Sequence, residues 1–122
     1  MYRVRAVMSF GGAHNLRNYN GKCENLHGHN WKVEAYLKGD SLDETGMLVD
    51  FSVLKKRLKE ILDTLDHKYL NDEVVFFRSN NPTSENIAKY IFTEMKETFG
   101  SLTDRVVVWE TDIQAAEYWE ND

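Results

Sequence analysis

The chain has a single cysteine, no apolar run approaching the roughly 20 residues of a membrane span, and no excess of positive charge. One cysteine excludes an internal disulfide framework and points to a reducing, cytoplasmic setting. Without a long apolar run the protein is expected to be soluble and to have no membrane partner. Met1 to Arg5 also runs directly into strand-like alternation instead of the apolar region of a signal peptide. Lys and Arg number 15 against 20 Asp and Glu, for a net charge of −5, a balance that weighs against nonspecific nucleic-acid binding, which needs phosphate-neutralising basic surface. A small anionic substrate held by a few local cations stays compatible with that balance. There is no Walker-type glycine loop, internal repeat, linker or low-complexity segment. The 122 residues suffice for one core but not two, so a single domain over residues 1–122 is expected.

What the chain does have is a concentration of rare, reactive side chains. Three of its four histidines, His14, His27 and His29, lie in one short stretch with its only cysteine, Cys23. On a strand, side chains two apart share a face, so His27 and His29 can aim both imidazoles at one point, and His14 can add a third from a neighbouring strand. Three neutral nitrogen ligands without a fourth protein ligand form the pattern of a catalytic zinc site, whose open position takes water or substrate oxygen. Cys23 could close such a site, although Cys-x-x-x-His-x-His is not a usual structural-zinc spacing. The alternative is three unrelated histidines and a buried thiol.

The elements around this segment follow from periodicity. Residues 2 to 10 alternate as a strand, with Tyr2, Val4, Ala6 and Met8 on one face and Arg3 and Arg5 on the other, and residues 30 to 38 repeat the pattern. A helix is expected after Asp50-Phe51-Ser52, with Leu54, Leu58, Ile61, Leu62 and Leu65 on one face. A second should start at Pro82-Thr83-Ser84-Glu85, capped by Thr83 or Ser84, bury Ile87, Ala88, Ile91, Phe92, Met95 and Phe99, and end at Gly100. Residues 105 to 111 return to strand, and a last short strand includes Ala116, Tyr118 and Trp119. Strand, strand, helix, helix, strand, strand is an α+β order, with the helices on one face of an antiparallel sheet. Its edges could pair with another subunit, or the chain could be a monomer with scattered surface aromatics.

Three further residues invite chemistry. Asp66 precedes His67 at the end of the first helix, either as a carboxylate that orients an imidazole for proton transfer or as an ordinary helix terminus favouring a cationic ring. Glu110 lies in the apolar run Val106 to Thr111, where it could grip a flat heterocycle with adjacent N–H donors or simply occupy a solvated strand face. Cys23 is either a small buried hydrophobe or a nucleophile or base, and a neighbouring zinc would lower its pKa.

Six segments together resemble one family. They are Phe10-Gly-Gly-Ala-His14-Asn-Leu, Cys23-x-x-x-His27-Gly-His29, Gly46-Met-Leu-Val-Asp-Phe51, Leu65-Asp-His-x-x-Leu-Asn71, Pro82-Thr-Ser-Glu-Asn86 and Trp109-Glu-Thr111, in that order. The chain resembles the 6-pyruvoyltetrahydropterin synthase family, and within it the 6-carboxytetrahydropterin synthase branch of queuosine biosynthesis. Gly11-Gly12 departs from the usual Ser-Ala or Ala-Ala but removes no ligand.

The resemblance implies a tunnelling fold: a four-stranded antiparallel sheet with two helices on one face, joined between subunits into a barrel. It implies a homohexamer, a dimer of trimers, with active sites at subunit interfaces. It makes His14, His27 and His29 the Zn2+ ligands, Cys23 the proton-abstracting base, Asp66 and His67 the relay, and Glu110 the pterin anchor. Thr83 and Ser84 resemble the segment lining the pterin pocket. The implied reaction converts 7,8-dihydroneopterin triphosphate to 6-carboxytetrahydropterin, acetaldehyde and triphosphate. Arg17 and Lys22, beside the metal segment, are candidates to meet the triphosphate. Two other functions stay open: a 6-pyruvoyltetrahydropterin or sepiapterin-processing activity from the same residues, and a noncatalytic zinc module that binds pterin.

Overall fold

Strand β1 (Tyr2–His14) and strand β2 (His27–Gly39) form a long antiparallel pair, in register from Tyr2↔Gly39 to His14↔His27. The computed structural model describes residues 1–121; Asp122, the last residue of the expected domain, lies outside the described residues. Along the pair, Ala6↔Ala35, Met8↔Val33 and Phe10↔Trp31 face the core, and the same two-residue period carries on to Gly12↔His29 and His14↔His27. The three histidines therefore stand on the core-facing side of the sheet, at its far end. Both strands run further into the histidine segment than the expected spans 2–10 and 30–38, because Gly11, Gly12 and Gly28 interrupt the visible alternation without interrupting the ladder.

Strand β4 (Thr103–Thr111) pairs with β2, and strand β5 (Gln114–Trp119) pairs with β4, all antiparallel. A two-residue strand, β3 (Lys68–Tyr69), adds to β1 in parallel at Gly12 and Ala13, giving the order β3-β1-β2-β4-β5. The sheet thus has five strands where four were expected. The additional one is too short to show a period and forms only because the chain after His67 is drawn against the end of β1.

Helix α1 (Phe51–Asp63) is capped by Asp50, whose carboxylate accepts from the Ser52 amide at 2.8 Å. Helices α2 (Leu70–Glu73) and α3 (Val75–Arg78) are single turns. Helix α4 (Ser84–Phe99) is capped by Thr83, whose Oγ1 accepts from the Asn86 amide at 3.1 Å, and it ends at Gly100, where φ is +54°. Leu54, Leu58, Ile61 and Leu62 of α1 and Ile87, Ala88, Ile91, Phe92 and Met95 of α4 are buried against the inner face of β1, β2 and β4. Each large aliphatic or aromatic side chain so buried contributes roughly 1.5–3 kcal/mol, which holds the two helices on this face of the sheet. No helix among the described residues is long and apolar enough to cross a membrane.

The opposite face of the sheet is polar but ordered. Glu34 is buried there, accepting from Trp109 Nε1 at 2.7 Å and the Tyr36 hydroxyl at 2.8 Å, with Arg5 Nη1 at 3.5 Å. Burial pushes its carboxyl up, but those hydrogen bonds and the charges of Lys32 and Arg5 outweigh burial and hold it below the usual range.

Candidate metal centre and active site

The floor of the site is Trp31, fully buried, with its ring set edge-on to His14 and His29 at centroid distances of 4.9 and 5.2 Å. Its indole N–H donates to the Gly12 carbonyl at 3.2 Å. Gly12 stands opposite His29, and a Cβ there would come 3.1 Å from the Phe10 ring and 3.5 Å from Trp31 Nε1, so the absent side chain leaves that space to the two aromatic rings of the floor.

Two of the three rings are locked from behind. His14 Nδ1 lies 2.7 Å from the Pro82 carbonyl, and His27 Nδ1 lies 2.8 Å from the Asn25 carbonyl. A carbonyl only accepts, so each Nδ1 carries the proton, and in its neutral form each ring turns the lone pair of Nε2 inward. Those two Nε2 atoms are 3.0 Å apart. Two lone pairs at that distance repel unless a positive centre lies between them. Burial also pushes the His14 pKa down, and neighbouring His27 and His29 add to this against the raising effects of Pro82 and Glu110, which keeps the ring in its ligating form.

His29 Nε2 is buried and makes no hydrogen bond, although Glu110 Oε1 is only 2.9 Å away. The same oxygen is 3.6 Å from His14 Nε2. Glu110 reaches this position by the period of β4: Val106 and Val108 face the core, and Glu110 is the next residue on that side. His14, His27, His29 and Glu110 thus offer one ligand atom each, all within 4.8 Å of one another. A tetrahedral centre with bonds of about 2.0–2.1 Å has ligand–ligand edges of about 3.3 Å; three of the pairs, at 2.9, 3.0 and 3.6 Å, bracket that edge, and the others lie within 4.8 Å. The residues fit a divalent cation bound through nitrogen and carboxylate oxygen.

A cavity of about 480 Å³ adjoins the cluster, lined by Gly11 to Ala13, Gly28 to Asn30 and His67 to Tyr69. That volume suits a small molecule. His29 and His67 both line it. The His67 side chain is 88% exposed, with Nδ1 2.9 Å from Asp66 Oδ2. His67 adopts φ of +59°, a left-handed conformation uncommon outside glycine. Its backbone N–H donates to the Gly11 carbonyl at 2.7 Å, while the Gly11 amide donates to Asp66 Oδ1 at 2.9 Å. The Gly11 amide, helped by His67, holds the Asp66 carboxyl below its usual range, so it faces the imidazole as a carboxylate.

Cys23 is exposed in the loop that leads into β2 and is not part of the four-residue cluster. The buried-hydrophobe reading of this thiol is thereby removed. The loop is held by the Glu24 amide donating to the Leu16 carbonyl at 2.8 Å and by Asn15 Nδ2 donating to the Glu24 carbonyl at 3.0 Å. Thr83 and buried Ser84 directly follow Pro82, whose carbonyl orients His14. Arg17 directs its guanidinium to the Phe77 carbonyl, and its backbone is bonded in both directions to the Asn81 side chain, which ties the loop to the segment before α4.

Sequence reasoning missed the two carbonyls, of Pro82 and Asn25, that fix the imidazoles. Pro82 is 68 residues from His14 and carried no signal beyond its place in the Pro-Thr-Ser-Glu-Asn segment. The placement of Glu110 with the histidines was available in the continued alternation Val106, Val108, Glu110.

With this geometry in view, the comparisons with known proteins point to one family. The sequence profile described as "6-pyruvoyl tetrahydropterin synthase" matches residues 3–121. The chain is 40% identical over 124 residues to the 6-carboxy-5,6,7,8-tetrahydropterin synthase of Synechocystis sp., covering 98% of this chain and 94% of that protein. It is 33% identical to the protein of the same name from Haemophilus influenzae, covering 98% and 100%. Among solved structures, it is similar to the 6-pyruvoyl tetrahydropterin synthase of Caenorhabditis elegans, with a TM-score of 0.86 and 30% identity over 98% of this chain and 96% of that one.

Proposed function

The chain belongs to the 6-pyruvoyl tetrahydropterin synthase family, and from that premise we propose that it is a zinc-dependent 6-carboxy-5,6,7,8-tetrahydropterin synthase, a carbon–carbon lyase. Its substrate is 7,8-dihydroneopterin triphosphate, which with water gives 6-carboxytetrahydropterin, acetaldehyde and triphosphate. We place it in the cytoplasm, in queuosine biosynthesis, as a homohexamer with active sites between subunits.

The observation that carries this reading is the pair of carbonyl-locked imidazoles whose Nε2 atoms lie 3.0 Å apart, beside a cavity lined also by His67, the imidazole that Asp66 holds. His14, His27 and His29 hold the zinc. Bound there, the metal supplies Lewis-acid polarisation of the substrate's side-chain oxygens and so acidifies the adjacent C–H. Cys23, as the thiolate, removes that proton. His67, its Nδ1 held by Asp66, returns a proton from Nε2 elsewhere on the substrate. Glu110 accepts from the amino and ring N–H edge of the pterin and keeps the ring in register for both transfers. Thr83 and Ser84 line the ring's pocket.

The test is to incubate the zinc-loaded protein with 7,8-dihydroneopterin triphosphate and identify products by mass. 6-Carboxytetrahydropterin and acetaldehyde are expected. A 6-pyruvoyl product, or turnover confined to sepiapterin, would assign the other activity of the family, and binding without turnover would make the protein a pterin-binding zinc module.

A further inference from the structure

We propose that Glu24 is a positioning residue for Cys23: it ties the loop that carries the thiol to the strand end that carries His14, and so sets where the proton-abstracting group stands. This rests on the reading above, in which Cys23 is the base.

The chain leaves β1 at His14 and enters β2 at His27, and between them Cys23 is exposed, so its place is set by the residues on either side. Lys22 is bonded within the loop, its amide donating to the Tyr19 carbonyl at 3.0 Å across a turn in which Asn20 and Gly21 both have positive φ. Glu24 is bonded to the strand end instead. Its amide donates to the Leu16 carbonyl at 2.8 Å, its carbonyl accepts from Asn15 Nδ2 at 3.0 Å, and its Oε1 accepts from the Leu16 amide at 3.2 Å. Glu24 is half-buried, whereas Lys22, Cys23, Asn25 and Leu26 around it are exposed. A carboxylate turned inward beside an aliphatic side chain left in water is placed by its hydrogen bonds.

Asn15 and Leu16 are themselves fixed. Asn71, buried in α2, accepts from the Asn15 amide at 3.0 Å through Oδ1 and donates to the Asn15 carbonyl at 2.7 Å through Nδ2. Its side chain thus takes the place of a neighbouring strand just past the end of β1. The Tyr69 hydroxyl donates to Asn15 Oδ1 at 2.8 Å, which turns Asn15 Nδ2 toward the Glu24 carbonyl. The Leu16 amide finds its acceptor in the Glu24 carboxylate, where a strand would supply a carbonyl. That requirement is for an oxygen and not for a charge. Glu24 Oε1 is also 3.9 Å from His27 Nδ1, but that nitrogen is bonded to the Asn25 carbonyl at 2.8 Å, so Glu24 does not orient the metal ligand. Losing the carboxylate loosens the neck of the loop beside the thiol, and a displacement of about 1 Å in a catalytic group costs on the order of 10²-fold in rate.

The test compares Glu24→Ala with Glu24→Gln in the zinc-loaded protein. Glu24→Ala should lower kcat for 7,8-dihydroneopterin triphosphate about 10- to 100-fold, with KM and zinc content unchanged. Glu24→Gln keeps the accepting oxygen and should recover most of that loss. In a Cys23→Ala background, Glu24→Ala should lower the residual turnover no further, because a residue that acts through the thiol then has nothing to position. Hydrogen exchange over residues 15–24, read by mass spectrometry, should be slow in the wild type and Glu24→Gln and faster in Glu24→Ala, independently of turnover. Full turnover in Glu24→Ala while Cys23→Ala is inactive would overturn the proposal alone, whereas full turnover in Cys23→Ala would overturn the reading beneath it. An equal loss in Glu24→Gln and Glu24→Ala would make the charge the active feature. A further loss in the double variant would make the role one of general stability, and a fall in zinc would place Glu24 with the metal; each of these three results rejects positioning of the thiol through the Leu16 bond.

Discussion

Asp66 and Gly11 are joined at 2.9 Å, carboxylate Oδ1 to backbone amide, and this bond fixes where the relay histidine stands. Because the other oxygen of Asp66 meets His67 Nδ1, a single carboxylate ties the imidazole to the end of β1, where Gly11 is itself part of the cavity wall. His67→Ala should lower kcat on the order of 10²–10⁴-fold. Asp66→Asn should give part of that loss, because the amide can no longer accept as a charged partner. Zinc content should be unchanged in both, measured by elemental analysis beside steady-state kinetics. A loss confined to KM would remove the proton-transfer role.

Cys23 is exposed and outside the metal cluster, so Cys23→Ala is expected to keep zinc near the wild-type level and to bind substrate normally. Turnover should fall by several orders of magnitude as the proton-abstracting group is lost. A parallel fall in metal content would make the thiol a ligand.

Much of this arrangement was legible from residue type and period alone. The alternation of β1 and β2, the amphipathic faces of α1 and α4 and the Thr83 cap follow directly from the order of apolar and polar side chains. The histidines were recognisable as a cluster because His27 and His29 share a strand face. What the sequence concealed lies where one segment meets another. Gly11 and Gly12 hid the continuation of β1 to His14, and β3 exists only through its pairing with that hidden stretch. The lock on His14 comes from the distant carbonyl of Pro82, an atom every residue possesses. Glu110 was marked by the cost of a carboxylate in an apolar strand, but its meeting with His29 depends on the register between β4 and β2.

Acid should weaken the fold through Glu34 and Asp66. Both carboxyls are held below their ordinary range in the folded protein, Glu34 chiefly by Trp109 and Tyr36 against the opposing effect of burial, Asp66 chiefly by the Gly11 amide. Their stabilising contributions are complete above the unfolded values of about 4 and are lost as pH falls through the lower folded values. Glu34→Gln should cost about 1–3 kcal/mol at neutral pH, from its hydrogen bonds to Trp109 and Tyr36, and should flatten the acid limb of stability. Chemical denaturation from pH 7 down to pH 3 measures both. Parallel curves for wild type and variant would show that Glu34 carries no acid dependence.

If the active site is shared between subunits, inactive Cys23→Ala and His67→Ala proteins should complement each other once their subunits exchange, because some interfaces then receive both intact side chains. Activity of the mixture, followed with exchange demonstrated by mass, reads this directly. No recovery would place the two residues in one protomer's site.

The zinc content of purified His27→Ala after dialysis against limiting zinc tests most directly whether the carbonyl-locked imidazoles form a zinc site. Removing His27 takes away one of the two Nε2 atoms held 3.0 Å apart. The expected result is a sharp fall from about one zinc per chain in the wild type, with the variant still folded by circular dichroism. Full zinc occupancy in folded His27→Ala would contradict the assignment.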